Sequence, residues 1–238
     1  MTDVSAILFD KDGTLFDFHA TWASWAARFI DELACGDADR ANRLANAVGF
    51  DFPARAFSED SPLISATPGD IATLLLPHLP GASPSGVITH MNRVSAHAPQ
   101  VPAAPLRPLM EDLRARGLRL GVVTNDAEKP ARTHLETAGI LDLMEGVFGC
   151  DSGFGAKPLP DMPLAFAEQC GLDPASVIMV GDSPSDLISA RMSGMTALAV
   201  LTGLATRRQL APIAEDVLDS IADLPEWLEA RLLAEDAA

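Results

Sequence analysis

The stretch Ala6-Ile-Leu-Phe-Asp-Lys-Asp-Gly-Thr14 joins a short apolar run to two carboxylates and a glycine. Four consecutive apolar residues favour a strand covered on both faces. Asp12-Gly13 is also typical of a tight hairpin turn, so this stretch alone allows either a hairpin or a ligand-binding loop. An EF-hand calcium loop is excluded. It requires glycine at its sixth position and glutamate at its twelfth, where this chain has Leu15 and Thr21.

Later apolar runs extend the pattern of the first one. They are rich in β-branched residues and occupy 118–123, 146–149, 177–180 and 196–200. Helical periodicity, often ending at a glycine, predicts helices over 106–116, 130–138, 163–169 and 185–192. Strands that alternate with helices predict an α/β fold in which a doubly wound parallel sheet has helices on both faces.

Residues 17–100 break this alternation. Their patterns predict helices over 19–34, 38–48, 70–79 and 84–97 and no strand. We therefore expect two domains, a catalytic core made of 1–16 and 101–238 and a helical insertion over 17–100. The acidic stretch 215–236 is predicted to be a solvated helix face.

Composition and charge narrow the classes of partner. The chain has 238 residues and a formal net charge of −16, which argues against nucleic acid and anionic membranes because both would be repelled. We find neither a signal peptide nor a membrane-spanning run, and expect a cytoplasmic protein. The three cysteines are expected to be reduced, and the five histidines show no zinc-like spacing. Monomer and homodimer both stay open.

Polar residues follow three of the predicted strands at the same end. Asp10 and Asp12 follow the first run, Thr124 and Asn125 follow 118–123, and Asp182 follows 177–180. A glycine-flanked loop adds Lys157. Ligand crevices in open parallel sheets lie beyond the carboxyl ends of the strands, so we expect these side chains to meet there. The hairpin interpretation explains none of this convergence.

These residue types suit phosphoryl transfer through an aspartyl-phosphate. A carboxylate can serve as the nucleophile if the charge of the phosphate is cancelled, and Asp10 with Asp182 offers the oxygen ligands that Mg²⁺ prefers. The Thr124 hydroxyl, the Asn125 backbone N–H and the Lys157 ammonium are candidate donors to phosphate. Asp12 is then free to protonate the leaving alkoxide and later to deprotonate water.

Four segments in this order resemble the haloacid dehalogenase-like hydrolase superfamily, in its phosphoglycolate phosphatase-like branch. They are D-K-D-G-T (10–14), V-V-T-N (122–125), A-K-P-L-P-D (156–161) and V-G-D-S-P-S-D (180–186). The resemblance implies a Rossmann-like core with an α-helical cap. It also implies Asp10 as nucleophile and Asp12 as acid/base, with Mg²⁺ bound by Asp10, the Asp12 carbonyl and Asp182. Thr124 and Lys157 are implied on phosphate and Asp186 as a support outside the metal ligands.

Two other branches of the superfamily are disfavoured. Carbon–halogen cleavage would leave the second acid, Asp12, without a purpose, and the phosphonate-cleaving branch uses a cap lysine that 17–100 lacks. We expect a Mg²⁺-dependent phosphatase acting on a small phosphorylated metabolite, with phosphoglycolate the first candidate. The alternatives are a phosphosugar mutase of the same superfamily and a non-catalytic phosphate-binding regulator.

The predicted insertion holds the residues that would select a substrate. Trp22 and Trp25 lie on one helical face, where packing is favoured over substrate stacking, and His19 is close enough to reach the cleft. Arg55 and Arg93 are candidate anchors for a substrate carboxylate, although salt-bridge roles are favoured for both. Lys11 is treated as an ordinary variable position.

Overall fold

The first strand, which the polar loop follows, lies in the interior of a six-stranded parallel sheet. The structure, a computed structural model, describes residues 4–58 and 60–236, apart from the side chains of 19, 20, 232 and 234–236. Its strands are β1 (Ala6–Phe9), β2 (Phe50–Asp51), β3 (Ala56–Phe57), β4 (Arg119–Val123), β5 (Gly146–Phe148), β6 (Val177–Gly181), β7 (Thr196–Val200) and β8 (Asp216–Leu218). The sheet order is β5-β4-β1-β6-β7-β8, all parallel.

Helices cover both faces of this sheet and build the segment after β1. They are α1 (Phe18–Ala34), α2 (Ala38–Ala47), α3 (Pro68–Leu75), α4 (Pro84–Ser95), α5 (Leu106–Ala115), α6 (Glu128–Thr137), α7 (Asp161–Cys170), α8 (Pro184–Met192), α9 (Arg207–Leu210) and α10 (Leu224–Asp236). The predicted α/β fold is confirmed. Each of the five predicted strands occurs with its ends within one residue of the predicted positions.

Burial on both faces of β1 explains its unbroken apolar sequence. Ile7 and Phe9 pack in one hydrophobic cluster, with residues of α5 and α6. Ala6 and Leu8 pack in another, with residues of α7 and α8. Because successive side chains of a strand point to opposite faces, a strand covered on both sides has no polar position.

A third hydrophobic cluster is formed by the segment between β1 and α5. Its buried members run from Phe18 to Ala98 and come from α1 to α4 and the turns that join them. Phe29 and Leu75 are among its most buried residues, at 1% and 0% exposure. The segment thus has a core of its own, while the domain boundaries given above stay a prediction.

Two predictions about local structure are wrong. The segment 17–100 contains a strand pair, because β2 and β3 form a short antiparallel ladder. Strands of two residues are too short to produce a periodic pattern. The acidic end of the chain is not helical throughout, since β8 precedes α10 as an edge strand of the sheet. None of the helices in the described ranges has the length and apolarity needed to span a bilayer.

Candidate active site

Three adjacent strands of the sheet bring the predicted polar residues together. β1 lies between β4 and β6, with Phe9 paired in register to Val122 and Val180. Asp10, Thr124 and Asp182 follow the ends of these strands and are at most 5% exposed. The common edge exists because the three strands are parallel, as the crossover helices between them require.

Three carboxylates and one ammonium share the floor of this edge. Oxygens of Asp10, Asp182 and Asp186 all lie within 4.8 Å of one another. The Lys157 Nζ atom is 2.5 Å from Asp10 Oδ1 and 2.6 Å from Asp186 Oδ1. One lysine cannot neutralise three acids, so the cluster keeps an excess of negative charge in a buried place.

The pKa values of Asp10 and Asp182 are raised, first of all by burial. Burial raises the pKa of Asp10 to about 7, against the opposing attraction of Lys157. Burial and then repulsion by Asp186 and Asp10 raise the pKa of Asp182 well above its usual range. The cluster would be stabilised by a further cation. Buried carboxylate oxygens are the ligands that Mg²⁺ prefers, so the donor set fits this ion.

Asp186 is positioned by the start of α8. Its Oδ2 atom accepts hydrogen bonds from the Ser183 N–H at 3.0 Å and the Ser183 hydroxyl at 2.6 Å. Its other oxygen, Oδ1, faces Lys157. This capping box holds the Asp186 carboxylate next to Asp10. The supporting role expected for Asp186 from the family stays a prediction.

Two glycines allow the backbone to approach Asp182 closely. A Cβ atom added at Gly13 would lie 2.3 Å from Asp182 Oδ2, and one added at Gly203 would lie 1.7 Å from the same atom. Gly13 also has a φ of +87°, which favours glycine. No sequence pattern indicated Gly203, because it follows β7 and lies 21 residues beyond Asp182, the residue that it approaches.

Asp12 lies apart from the three clustered carboxylates. Its Oδ1 atom accepts hydrogen bonds from Lys11 Nζ at 2.8 Å and from Trp22 Nε1 at 2.9 Å. Its side chain is 15% exposed and reaches the same cavity as Asp10. Two carboxylates of one loop therefore have different partners, as different chemical tasks would require.

Lys11 is a buried part of the site, which its sequence context did not indicate. It is 0% exposed and contacts Asp12 at 2.7 Å, Asp126 at 3.2 Å and His134 Nδ1 at 3.2 Å. Burial alone would lower the pKa of Lys11, but the two carboxylates raise it above its ordinary value. Because its partners lie 115 and 123 residues further along, no local signal could have revealed them.

The predicted phosphate donors have different surroundings. The Thr124 hydroxyl oxygen accepts a hydrogen bond from the Asp126 N–H at 3.1 Å, so its proton is directed elsewhere. The Asn125 side chain is bound to the Lys157 backbone by two hydrogen bonds of 2.8 and 3.0 Å, and donates to the Ser65 carbonyl at 2.8 Å. Asn125 thus fixes the lysine loop against the segment that carries Ser65.

A cavity of about 670 Å³, counted to its open mouth, lies between the sheet edge and the segment after β1. The polar end of this cavity is formed by Asp10, Thr124, Lys157, Asp182 and Asp186, and Asp12 also lines it. The opposite, apolar end is formed by Phe18, Trp22, Trp25, Leu63, Ile64 and Met91.

The candidate cap residues fall into three groups. Trp22 and Trp25 line the cavity and meet edge to face, with ring centroids 4.9 Å apart. Arg93 is instead paired with Glu32 at 2.8 Å, and Arg55 is exposed; neither lines the cavity. The side chain of His19 lies outside the described residues.

Comparison with known proteins agrees with the fold and the motifs. Residues 4–194 match the haloacid dehalogenase-like hydrolase family. A phosphoglycolate phosphatase of Rhodospirillum rubrum is 37% identical over 120 residues, which is half of each chain. Another from Xylella fastidiosa is 30% identical over 200 residues, or 83% of this chain and 80% of that one.

A solved structure shows the same fold over nearly the whole chain. The protein CbbY of Rhodobacter sphaeroides, in complex with phosphate, superposes with a TM-score of 0.71 at 18% identity. The superposition covers 93% of this chain and 96% of that one. By sequence, in contrast, the chain matches only about half the length of the first relatives.

Proposed function

This chain belongs to the haloacid dehalogenase-like hydrolase family, and on that premise we propose that it is a Mg²⁺-dependent phosphatase acting on a small phosphate monoester. The observation that carries the proposal is the separation of two kinds of carboxylate at one sheet edge. Asp10 lies in a charged cluster with Lys157, and Asp12 lies outside it with Lys11 and Trp22. One is suited to bond phosphorus and the other to carry a proton.

In the first proposed step an oxygen of Asp10 attacks phosphorus and the ester P–O bond breaks. Asp12 gives its proton to the departing alkoxide, which leaves as the alcohol. Nucleophilic catalysis by a carboxylate divides the displacement into two easier steps. The product of this step is an aspartyl-phosphate on Asp10.

In the second proposed step water attacks the phosphorus of the aspartyl-phosphate. Asp12, now ionised, takes one proton from that water, while the P–O bond to Asp10 breaks and inorganic phosphate leaves. One carboxyl thus acts first as an acid and then as a base. Both residues return to their starting state.

Residues of the polar end would bind and orient the phosphoryl group. The Thr124 proton and the Lys157 ammonium are donors at this end, and preorganised donors of this kind are an effective way to stabilise developing charge. Mg²⁺ held by Asp10, Asp182 and the Asp12 carbonyl would cancel the repulsion between carboxylate and phosphate, with Asp186 supporting this cluster through its contact with Lys157. We further propose that residues 17–100 act as a cap that excludes water.

Phosphate release from a panel of monoesters, with Mg²⁺ and with a chelator, tests the proposal. Phosphoglycolate belongs in the panel because of the names of two relatives. We expect stoichiometric release of phosphate that depends on Mg²⁺ and on Asp10, since Asp10→Asn removes the nucleophile. Conversion of a hexose phosphate to its isomer without free phosphate would identify a mutase instead. Binding of phosphate without any turnover would identify a regulator.

A trapping experiment tests the intermediate. Protein quenched in acid during turnover should gain the mass of one phosphoryl group on the peptide that contains Asp10. The same peptide of the Asp10→Asn variant should gain none. Turnover without any labelled peptide, under conditions where an acyl phosphate survives, would contradict the covalent mechanism.

A further inference from the structure

The two ends of the cavity differ in chemistry. Its polar end carries the proposed phosphoryl-transfer residues, and its apolar end includes three aromatic side chains together with aliphatic ones. The hydroxyl-bearing residues Ser65 and Ser95 also line the cavity, and both are uncharged. A phosphate bound at the polar end therefore directs the rest of its ester toward an uncharged surface.

Few cations among the described side chains are available to an acid group of the substrate. Among the described side chains that line the cavity, Lys157 is the one Lys or Arg, and it already contacts Asp10 and Asp186. Two arginines of the segment after β1, Arg28 and Arg93, are both paired with Glu32 at 2.8 Å. Neither arginine lines the cavity.

Trp22 connects the proposed proton donor to the apolar end. Its Nε1–H donates to Asp12 Oδ1, its ring lies 5.2 Å from Lys11 Nζ, and the same ring meets Trp25 edge to face. The leaving oxygen must lie within reach of Asp12 to receive a proton. The carbon attached to that oxygen consequently begins next to the indole ring of Trp22.

We infer that the substrate is a phosphate monoester of an uncharged, predominantly apolar alcohol whose carbon skeleton packs against Trp22, Trp25 and Met91. This inference rests on the proposed phosphatase activity and narrows its substrate class. An apolar leaving group gains from burial on this surface. A carboxylate in the same place would lose its water without gaining a cation as a partner.

A series of phosphate esters tests the inference with the wild-type protein and Mg²⁺. The assay is run at about pH 8, where an ordinary histidine is uncharged and so adds no cation to the cavity. The neutral set is ethyl, butyl and hexyl phosphate. The acidic set is phosphoglycolate and the phosphate ester of 4-hydroxybutyrate, which match the shorter neutral esters in carbon number. We expect kcat/KM to rise about fourfold for each added methylene. It should be about 100-fold lower for an acidic ester than for its neutral match.

Variants of residues at the apolar end test whether these side chains cause the preference for longer neutral esters. Trp25→Ala should flatten the chain-length profile, so that the loss in kcat/KM grows from ethyl to hexyl phosphate. Leu74→Ala is the matched control, because Leu74 is 40% exposed on α3 and does not line the cavity. Its chain-length profile should equal that of the wild type.

Introducing a cation gives a second test that does not depend on a truncated core residue. Ile64 is half-buried at the apolar end, so Ile64→Arg can place a guanidinium in the cavity. We expect it to raise kcat/KM for phosphoglycolate relative to ethyl phosphate about tenfold. Ile64→Gln, which adds polarity without charge, should not change that ratio.

The possible failures are distinguishable. Equal or faster hydrolysis of the acidic esters by the wild type would overturn the inference and leave the phosphatase intact. A flat chain-length profile would do the same. Absence of phosphate release from every ester in both sets would overturn the proposed function, and the inference with it.

Discussion

The indole Nε1–H of Trp22 donates a hydrogen bond of 2.9 Å to Oδ1 of Asp12. It joins α1 to the loop after β1, and so links the apolar end of the cavity to the proposed acid/base. An indole N–H bound to a carboxylate oxygen holds that carboxylate in one rotamer. The contact makes Trp22 a positioning residue for Asp12 as well as a part of the cavity surface.

Replacing Trp22 by Phe should keep the ring and remove this hydrogen bond. A hydrogen bond to a charged group contributes about 1.5–3 kcal/mol, so we expect kcat to fall by at least about tenfold. The loss should be larger for alkyl phosphates, whose leaving group needs the Asp12 proton, than for p-nitrophenyl phosphate, a difference that loss of packing alone would not cause. Trp227→Phe is the matched control, because Trp227 Nε1 donates to Asp216 at 3.0 Å far from the cavity. Equal losses in both variants would argue against a positioning role.

Asp12→Asn should separate the two proposed steps. A nitrophenolate leaves without strong need of a proton, whereas an alkoxide needs one, so loss of the acid should affect alkyl phosphates most. General acid–base catalysis contributes about 10²–10⁴-fold. With p-nitrophenyl phosphate we expect one rapid equivalent of nitrophenol and then a stalled phosphoenzyme, observed by stopped-flow absorbance. Unchanged steady-state hydrolysis of both ester classes would refute the role given to Asp12.

Lys11→Met should destabilise the fold. The substitution leaves Asp12 and the buried carboxylate of Asp126 without their cation, and breaking a buried pair from one side costs about 3–5 kcal/mol. Urea unfolding should therefore show a clear fall in the free energy of unfolding. Lys129→Met is the control, since Lys129 is exposed and such changes stay within about 0.5 kcal/mol. A similar small effect at both positions would contradict the importance of the Lys11 network.

His134 should make the fold sensitive to acid. Its Nε2–H donates to the Ser95 carbonyl at 2.8 Å, and its Nδ1 accepts from Lys11. This arrangement requires the neutral ring. Burial and then the charge of Lys11 lower the pKa of His134 from 6.5 to about 4. The unfolded chain therefore binds a proton more readily, and stability falls as pH decreases from 6.5 to 4.

The His134→Gln variant isolates this contribution. Its free energy of unfolding should be lower than that of the wild type at neutral pH. The difference between the two free energies of unfolding should narrow by a few kcal/mol as the pH falls from 6.5 to 4. Only the wild type has the ring at position 134, whose protonation lowers stability in this range. Denaturant unfolding at a series of pH values measures it. A difference that stays constant over that window would show that His134 does not titrate as stated.

Gly203→Ala should weaken Mg²⁺ activation. The added methyl group would lie 1.7 Å from Asp182 Oδ2, so the carboxylate must move. We expect the Mg²⁺ concentration for half-maximal activity to rise about tenfold or more. Gly69→Ala is the control, because a Cβ atom there meets only Thr67 at 3.6 Å. An unchanged Mg²⁺ requirement in Gly203→Ala would exclude Asp182 as a ligand.

The sheet and its functional edge were predictable from the sequence for a local reason. Strands buried on both faces are unbroken apolar runs, and β1, β4 and β6 each end at a polar residue. Because parallel strands end at one edge, Asp10, Thr124 and Asp182 had to lie near one another. The four motifs also predicted the order in which the site residues occur along the chain.

Other features depended on contacts between distant parts of the chain. The burial of Lys11 follows from its packing against α6 and Trp22, and the hydrogen bond of Asn125 to Ser65 depends on how the segment after β1 lies over the sheet. The apolar, cation-poor surface around Trp25 is assembled from three separate stretches of that segment. The sequence by itself determined which groups can carry out phosphoryl transfer, because the pattern of strands and polar ends is local. Only the tertiary structure decided what surrounds the leaving group, because those neighbours are selected by packing.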